Sequence, residues 1–379
     1  MNTSFRDITG ADRGFNVGAD VVTTTVDGIS LSGIWEEFQT ALTQWNTGRS
    51  AIAALFTANT TDSSALIPLD GNRVDFQQAS EFGQPVGVGV APGYLRLAFP
   101  LDSFDLATRF TRKFLQKAPA EQIRALQVAA QEADNRLVFN KVMSSVTTPT
   151  GGTWGTRPMN DEGQTIYSLY AGAADDKPPT APDNATFAAN HTHFLVSGTA
   201  TVDSSDLEDV MSKVTEHGRG LKSAGETLVV LVNKQEGNQI RKFRAGEVNN
   251  NAAVATFDFI PSAAAPAYLT DQTLIGDRPP TTFNGLEVLG SYGDALIVQH
   301  PLMKAGYMVA VAAGGNSTVG FRQSPVAAYQ GLNLIPGNAA YPLVDAFYER
   351  QFGVGVWHRE AAAVIQIKAS GTYDVPIWS

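Results

Sequence analysis

The sequence has no cysteine, which excludes disulfides and thiolate-ligated metal sites. It is also short of charge: 17% of its residues are Asp, Glu, Lys or Arg, against about 25% in an ordinary soluble chain. A surface this poor in charge suits contact with other protein subunits. Lysine is missing from the whole N-terminal part, and the first in the chain is Lys113. No apolar run approaches the ~18 residues of a membrane span. Met1-Asn-Thr-Ser-Phe-Arg-Asp lacks the basic-then-apolar pattern of a secretory signal. The sequons at Asn59, Asn184, Asn190 and Asn316 are therefore expected to be chance matches in a cytosolic product. No Gly-Lys dipeptide and no Gly-x-Ser-x-Gly elbow occur, which removes the usual phosphate loop and one nucleophile motif. There is no regular repeat. At a formal net charge of −10, nothing predicts the basic patch of a sequence-specific nucleic-acid binder. The acidic balance suits a surface that lies near DNA without adhering to it.

What is present points to a folded chain rich in turns: 43% hydrophobic residues with 35 glycines and 19 prolines. At about 150 residues per domain, 379 residues predict two or three domains. Residues 1–30 are polar and glycine-rich and predict a mobile arm. Leu31 to Phe56 predicts helix, with Ile34, Trp35, Phe38, Leu42 and Trp45 on one face and an interruption at Gly48. Residues 66–103 are punctuated by Pro68, Gly71, Gly83, Pro85, Gly87, Gly89, Pro92, Gly93 and Pro100. They predict a long twisted hairpin or extended loop with little apolar surface of its own, lying on something else.

A short strand is expected over Phe104 to Arg112 and a helical turn over Lys113 to Lys117. A long helix then follows over 119–146, with Pro119 in its first position. Ile123, Leu126, Ala130, Ala133, Leu137 and Lys141 form its stripe, flanked by Val138, Val142 and Val146. At ~1.5 Å per residue it is about 40 Å long, far above the mean of ~11–12 residues. Residues 150–192 read as loop. Ser204 or Ser205 is expected to cap a helix carrying Leu207, Val210, Met211 and Val214, stopped by Gly218. Strands are expected at Leu228 to Val232, Leu286 to Leu289, Ala295 to Val298 and Tyr307 to Ala312. Strands mixed with a few helices give an α+β class.

The C-terminal segment alternates from His358 to Lys368, a period-two pattern that predicts a strand. Upstream, Phe352-Gly-Val-Gly-Val356 is apolar on the opposite parity, so a bend or bulge is expected between Gly353 and Trp357. Together the ribbon could span about 55 Å at ~3.3 Å per residue, far beyond a typical strand of ~5–6 residues. That length suits an elongated, tile-like subunit.

Chemistry is sparse. His191-Thr-His193 with His217 downstream is the one metal-like grouping, since a His-x-His pair on a strand puts both rings on one face. No carboxylate lies at a helpful spacing, so capping or packing histidines are expected. Gly353-Val-Gly355 lacks the third glycine and following helix of a dinucleotide loop. Glu36-Glu37 and Asp175-Asp176 read as solvated surface. Trp35, Trp45, Trp154, Trp357 and Trp378 read as core or interface anchors rather than ligand-stacking residues. No catalytic, cofactor-binding or metal-binding residue is expected.

Several ordered strings carry a resemblance across nearly the whole chain. They are Glu81-Phe-Gly-Gln-Pro85, Asp105-Leu-Ala-Thr-Arg109, Lys113-Phe-Leu-Gln-Lys-Ala118, His191-Thr-His193 with Leu195-Val-Ser-Gly198, Glu216-His-Gly218 and Gly290-Ser-Tyr-Gly293. Ala305-Gly-Tyr307, Tyr341-Pro-Leu-Val-Asp345 and Gly353-Val-Gly355 through Gln366-Ile-Lys-Ala369 complete the set. With the order of arm, extended loop, long helix, compact α+β region and returning ribbon, the chain resembles the major capsid proteins of tailed double-stranded DNA phages. These have the Hong Kong 97-like fold, and the strings look like the branch found in actinobacteriophages.

The resemblance implies an N-arm and N-terminal helix at 1–65 and an extended E-loop at 66–103. It implies a peripheral domain at 104–195 and 345–379, with 119–146 as its spine helix, and an axial domain at 196–344. It implies a virion capsid assembled in the host cytoplasm from pentamers and hexamers of this chain. The implied partners are a portal protein, possible scaffolding and cement or decoration proteins, and packaged DNA touched only nonspecifically; no membrane is involved. Some members fuse an E-loop lysine to a neighbour's asparagine. With Lys113 the first lysine, that isopeptide is chemically unavailable, so noncovalent contacts must hold the shell. The 65 or so N-terminal residues are too short for the cleaved scaffolding region that often opens the family's chains, so a separate scaffolding protein or none is expected. Two other readings stay open: a metal-dependent hydrolase using His191, His193 and His217, and a tail-tube or other phage assembly protein, which the long helix argues against.

Overall fold

The computed structural model describes residues 22–48, 50–68, 93–151, 157–172, 175–183, 185–263, 278–336 and 345–378, with the single positions 78, 81, 83 and 343. Most of the expected arm (1–21), nearly all the interior of the expected extended loop (69–92) and Trp154 lie outside the described residues.

The chain begins with α1 (Leu31–Thr47), α2 (Ala51–Phe56), β1 (Thr57–Thr60), β2 (Ser64–Pro68), β3 (Tyr94–Ala98), β4 (Asp102–Arg109), α3 (Arg112–Leu115) and α4 (Ala120–Thr147). The middle contributes β5 (Phe194–Val196), α5 (Ser204–Thr215), β6 (Thr227–Val232), α6 (Lys234–Ile240), β7 (Phe259–Pro261), β8 (Thr282–Phe283), β9 (Leu286–Tyr292) and β10 (Ala295–Gln299). It closes with β11 (Tyr307–Ala313), β12 (Val319–Gln323), β13 (Leu332–Ile335), β14 (Asp345–Val356) and β15 (Ala362–Gln366). The class is α+β, as expected, and no helix among the described residues is long and apolar enough to cross a membrane.

The chain divides into two compact units. One comprises Met1–Gly48, Phe104–Ala133 and Leu332–Glu349; the other comprises Arg49–Ser103, Asp134–Gly331 and Arg350–Ser379. In the first, Ile34 and Phe38 recur one helical turn apart and pack with Phe110, Leu115, Ala120, Ile123 and Leu343. Leu42, one turn further, joins Ala130, Leu332 and Tyr348. Trp35 and Trp45 pack against these clusters only in part. The N-terminus of α4 is capped from far upstream, where the Asp27 carboxylate accepts from the Ala120 N–H at 3.2 Å. This bond satisfies one of the donors a helix start leaves open.

The long helix exists where the sequence places it, and it buries Ile123, Ala130, Val138, Val142 and Val146 as expected, but the buried face is shifted away from Leu126. Its first half buries Ala120, Ile123, Gln127 and Ala130. Leu126 is 40% exposed and Val128 53% exposed, and Ala133, Leu137 and Lys141 are only partly covered. Two buried polar residues explain the shift. The Tyr348 hydroxyl donates to Gln127, and Arg350 donates to Asp134 at 2.6 Å. A polar side chain with a partner occupies a core position as securely as an apolar one, so the apolar stripe understates the buried face.

In the second unit an eight-stranded sheet runs β5-β15-β11-β6-β10-β9-β7, with β8 also paired to β9. β5 and β15 are parallel, as are β6 and β10, while β11 lies antiparallel to both β15 and β6. α5 lays Leu207, Val210 and Val214 into an apolar cluster with Val230, Val232, Ile297, Met308, Ala310, Ala363 and Ile365. Each fully buried aliphatic side chain there contributes roughly 1.5–3 kcal/mol. The cap of α5 is Asp203 rather than Ser204 or Ser205. Its carboxylate accepts from the Asp206 N–H at 3.1 Å, and Asp206 accepts in return from the Asp203 N–H at 3.0 Å. This is a capping box with Asp in both places. β2 and β3 pair antiparallel from Ser64↔Ala98 to Pro68↔Tyr94, the base of the hairpin expected over 66–103.

The expected terminal ribbon is two strands in two sheets. β14 pairs with β12 antiparallel, and β12 with β1 parallel. A turn over His358–Glu360 then delivers β15 to the eight-stranded sheet. The alternation from His358 therefore does not mark a half-buried strand, because every residue of β15 is buried. The glycines of Gly353-Val-Gly355 serve a close approach. A Cβ on Gly353 would lie 2.0 Å from the Pro100 carbonyl oxygen, and one on Gly355 would lie 2.8 Å from that of Ala98. Only hydrogen leaves room for the Ala98–Leu101 backbone there. Arg322 of β12 holds the crossing segment by donating to the Phe99 carbonyl at 2.9 Å and to Asp161 at 2.5 Å.

Candidate functional site

Three of the five histidines converge on one point in the larger unit. The extended segment before β5 places His191 and His193. Thr192 bridges Ala171, the His193 N–H donates to the Tyr170 carbonyl at 2.8 Å, and its carbonyl accepts from Val364 at 2.8 Å. His217 arrives from the other side, just past the end of α5. There Gly218, at φ +75°, turns the chain in a conformation open to glycine. A Cβ on Gly218 would lie 2.6 Å from Pro182, so the turn is tightly enclosed.

The three Nε2 atoms form a triangle with every side 3.1 Å. His193 is fully buried, and its Nδ1 lies 2.6 Å from the Ala362 carbonyl oxygen. A carbonyl only accepts, so Nδ1 carries the proton and Nε2 presents a lone pair. Burial is the main force on all three rings. It holds His193 well below the ordinary histidine value, with the neighbouring His217 adding to the effect. It brings His217 down to about 4, helped by His191. It lowers His191 as well, assisted by Lys213 and opposed by Glu216. Near neutral pH the cluster is therefore three uncharged imidazoles. Phe187 stacks on His217 at 4.2 Å between centroids, and Tyr170 lies 5.7 Å from His193. The Glu216 carboxylate stands 3.5 Å from the His191 Nε2. Among the described residues these three histidines are the group able to hold a metal ion. The pair at 191 and 193 is legible as His-x-His, but His217, 24 residues further on, is joined to it only by the docking of α5.

Of the Asp175-Asp176 pair, Asp176 is 35% exposed but Asp175 is not solvated surface. The Asp175 side chain is 1% exposed and joins Arg157, at 2.5 Å, to Arg359. Arg359 also donates to the Ser168 carbonyl at 2.7 Å and lies over the Tyr170 ring at 4.3 Å. The loop that reads as polar is thus pinned by an arginine in the turn between β14 and β15, and Asp175 is buried because it has that partner. Glu37 behaves as expected of surface, half exposed and paired with Arg124 at 2.8 Å. Trp357 packs on Phe99 at 5.6 Å, and Trp378 donates to the Thr147 hydroxyl at 2.8 Å. Both act as packing anchors, as expected.

No protein-family model matches the sequence, and no curated protein does. Solved structures do. That of Mycobacterium phage Patience is 38% identical, with a TM-score of 0.70, over 97% of this chain and 96% of its own. The capsid of an empty GTA particle is 11% identical with a TM-score of 0.46, over 85% of this chain and 91% of its own. Gordonia phage Cozz is 14% identical with a TM-score of 0.42, over 84% and 86%. The last two are too distant to inform individual residues.

Proposed function

Because this chain belongs to the Hong Kong 97-like major capsid proteins of tailed phages, and is a shell subunit rather than an enzyme, we propose how it builds that shell. Copies associate into pentamers and hexamers of an icosahedral particle around double-stranded DNA, held by noncovalent contacts. The observation that carries the proposal is the 38% identity to the Patience structure across 97% of the chain. The metal-dependent hydrolase built on His191, His193 and His217 has no support, because a shell subunit needs no reaction centre.

The proposed division follows the family. Residues 1–65 form the N-arm and its helix, and 66–103 the E-loop, with β2 and β3 as its stalk. Residues 104–195 and 345–379 form the peripheral domain with α4 as its spine, and 196–344 the axial domain. Uncovered apolar side chains support contact with neighbouring copies. Leu66 and Tyr94 on the β2–β3 stalk are each 60% exposed, and Leu126 and Val128 stand out from α4. Isolated two-stranded ribbons are marginal in water, which is the reason such a stalk gains from lying on a neighbour.

The absence of any lysine before Lys113 supports a shell without E-loop isopeptide bonds, in which case a cement protein is the natural reinforcement. A separate scaffolding protein or none, a portal protein at one vertex and assembly in the host cytoplasm complete the proposal. The net charge of −10 supports DNA contact that is nonspecific only. Negative-stain microscopy of the purified full chain tests it. Closed shells, sheets or capsomer rings are the expected outcome, and a persistent monomer at high concentration would overturn it.

A further inference from the structure

The histidine triangle is unexplained by shell building, and its geometry is poor for three rings left to themselves. The His193 Nε2 has no hydrogen, since its proton is on Nδ1 facing the Ala362 carbonyl. If His191 and His217 both carry hydrogen on Nε2, two N–H groups oppose each other at 3.1 Å. If either lacks it, two lone pairs oppose each other at the same distance. Every assignment of protons therefore leaves at least one repulsive contact in a largely buried place, where such contacts cost most. A cation at the centre removes it, because all three nitrogens then present lone pairs to one positive charge.

The dimensions fit zinc. A tetrahedral zinc ion lies about 2.0–2.1 Å from each imidazole nitrogen. That bond length sets the nitrogens about 3.3–3.4 Å apart, close to the 3.1 Å observed. The surroundings fit too. Metal-bound histidines usually donate their other N–H to a carbonyl or carboxylate, as His193 does to Ala362. The Glu216 carboxylate lies 3.5 Å from the His191 Nε2 and pairs with Lys213 at 3.0 Å, which puts an anionic oxygen next to the cluster.

We propose that His191, His193 and His217 bind one Zn2+ ion through their Nε2 atoms, with Glu216 or a water completing the tetrahedron, as a structural staple. The ion ties the segment that enters β5 to the end of α5, and through the His193–Ala362 hydrogen bond it ties both to β15. Phe187 and Tyr170 wall the site with aromatic rings. The staple acts within one chain and is independent of how copies assemble.

The test uses the purified full-length chain, stripped with a chelator and then given Zn2+ or Co2+. The expected result is about one zinc per chain retained through gel filtration, tetrahedral visible bands with Co2+, and a thermal midpoint several degrees higher with zinc than with chelator. His217→Ala and, separately, His191→Gln are expected to lose the retained metal and the thermal shift. A stripped wild-type chain that takes up no stoichiometric zinc, or variants that bind it as well as wild type does, would overturn the proposal. Should a variant fail to fold, the wild-type stoichiometry and cobalt spectrum decide alone. The metal count is made per chain, so a failure to form shells leaves the result readable.

Discussion

The two halves of α4 are built to different rules. The second half is sunk in protein: Val138, Phe139, Val142, Met143, Val146 and Thr147 are all buried, two adjacent positions in each turn. Phe139 stacks on His300 at 4.8 Å and meets Trp378 edge-on at 5.7 Å. The first half buries a single thin line, Ala120, Ile123, Gln127 and Ala130, and leaves Leu126 and Val128 facing outward. One half is specified by the chain's own core. The other keeps apolar surface that nothing in its own unit covers among the described residues, as a subunit that meets neighbours would. Exposed apolar residues at a helix face are permitted in a monomer, but their contrast with the second half supports the proposed contact with neighbouring copies.

Substitutions separate the two rules. Phe139→Ala removes a fully buried aromatic from the second half and is expected to cost about 3–5 kcal/mol, seen as a large drop in the urea midpoint. Asp134→Ala strands the buried Arg350 guanidinium, whose side chain is 15% exposed. Its expected cost is about 3 kcal/mol, and equilibrium unfolding reads it. Leu126→Ser with Val128→Ser is expected to change folding stability by no more than about 0.5 kcal/mol while markedly reducing particle yield in sedimentation. A large folding defect with normal assembly would erase the contrast.

The smallest effect lies at the helix start. The hydrogen bond from the Thr25 hydroxyl, then that from the Ala120 N–H, holds Asp27 below its ordinary value of 3.8. Its folded pKa is depressed, so the cap contributes fully above 3.8 and is lost as pH falls through the lower folded value. Acid titration followed by NMR should show the first turn of α4 fraying in that window, and Asp27→Asn should abolish the pH dependence.

The same contrasts bear on how much of the fold is legible in the sequence. Unbroken helix formers between Pro119 and Val146 located α4 to within a residue at each end. Its face is legible only in part: Ile123, Ala130, Val138, Val142 and Val146 are buried as read, but Gln127 and Asp134 sit inside with their partners Tyr348 and Arg350 while Leu126 and Val128 sit outside. β6, β10 and β11 stand out as apolar runs, since a central strand buried on both faces needs no alternation, whereas β9 alternates, with Glu287 exposed between buried Leu286 and Val288. β15 is central too, and there an accidental alternation from His358 concealed the turn that separates it from β14. Gly353 and Gly355 read as a bend because a sequence does not show that the backbone at Pro100 crosses over them. The histidine pair is visible from its spacing and His217 is grouped with it in the sequence, but only packing shows that the three rings meet.

The proposed shell is held without covalent links between its subunits. Purified particles boiled in detergent and run on a denaturing gel test it most directly. A single band at the 40.4 kDa of one chain, with nothing above it, is the expected result. A ladder of dimers, trimers and higher multimers that survives boiling would contradict it.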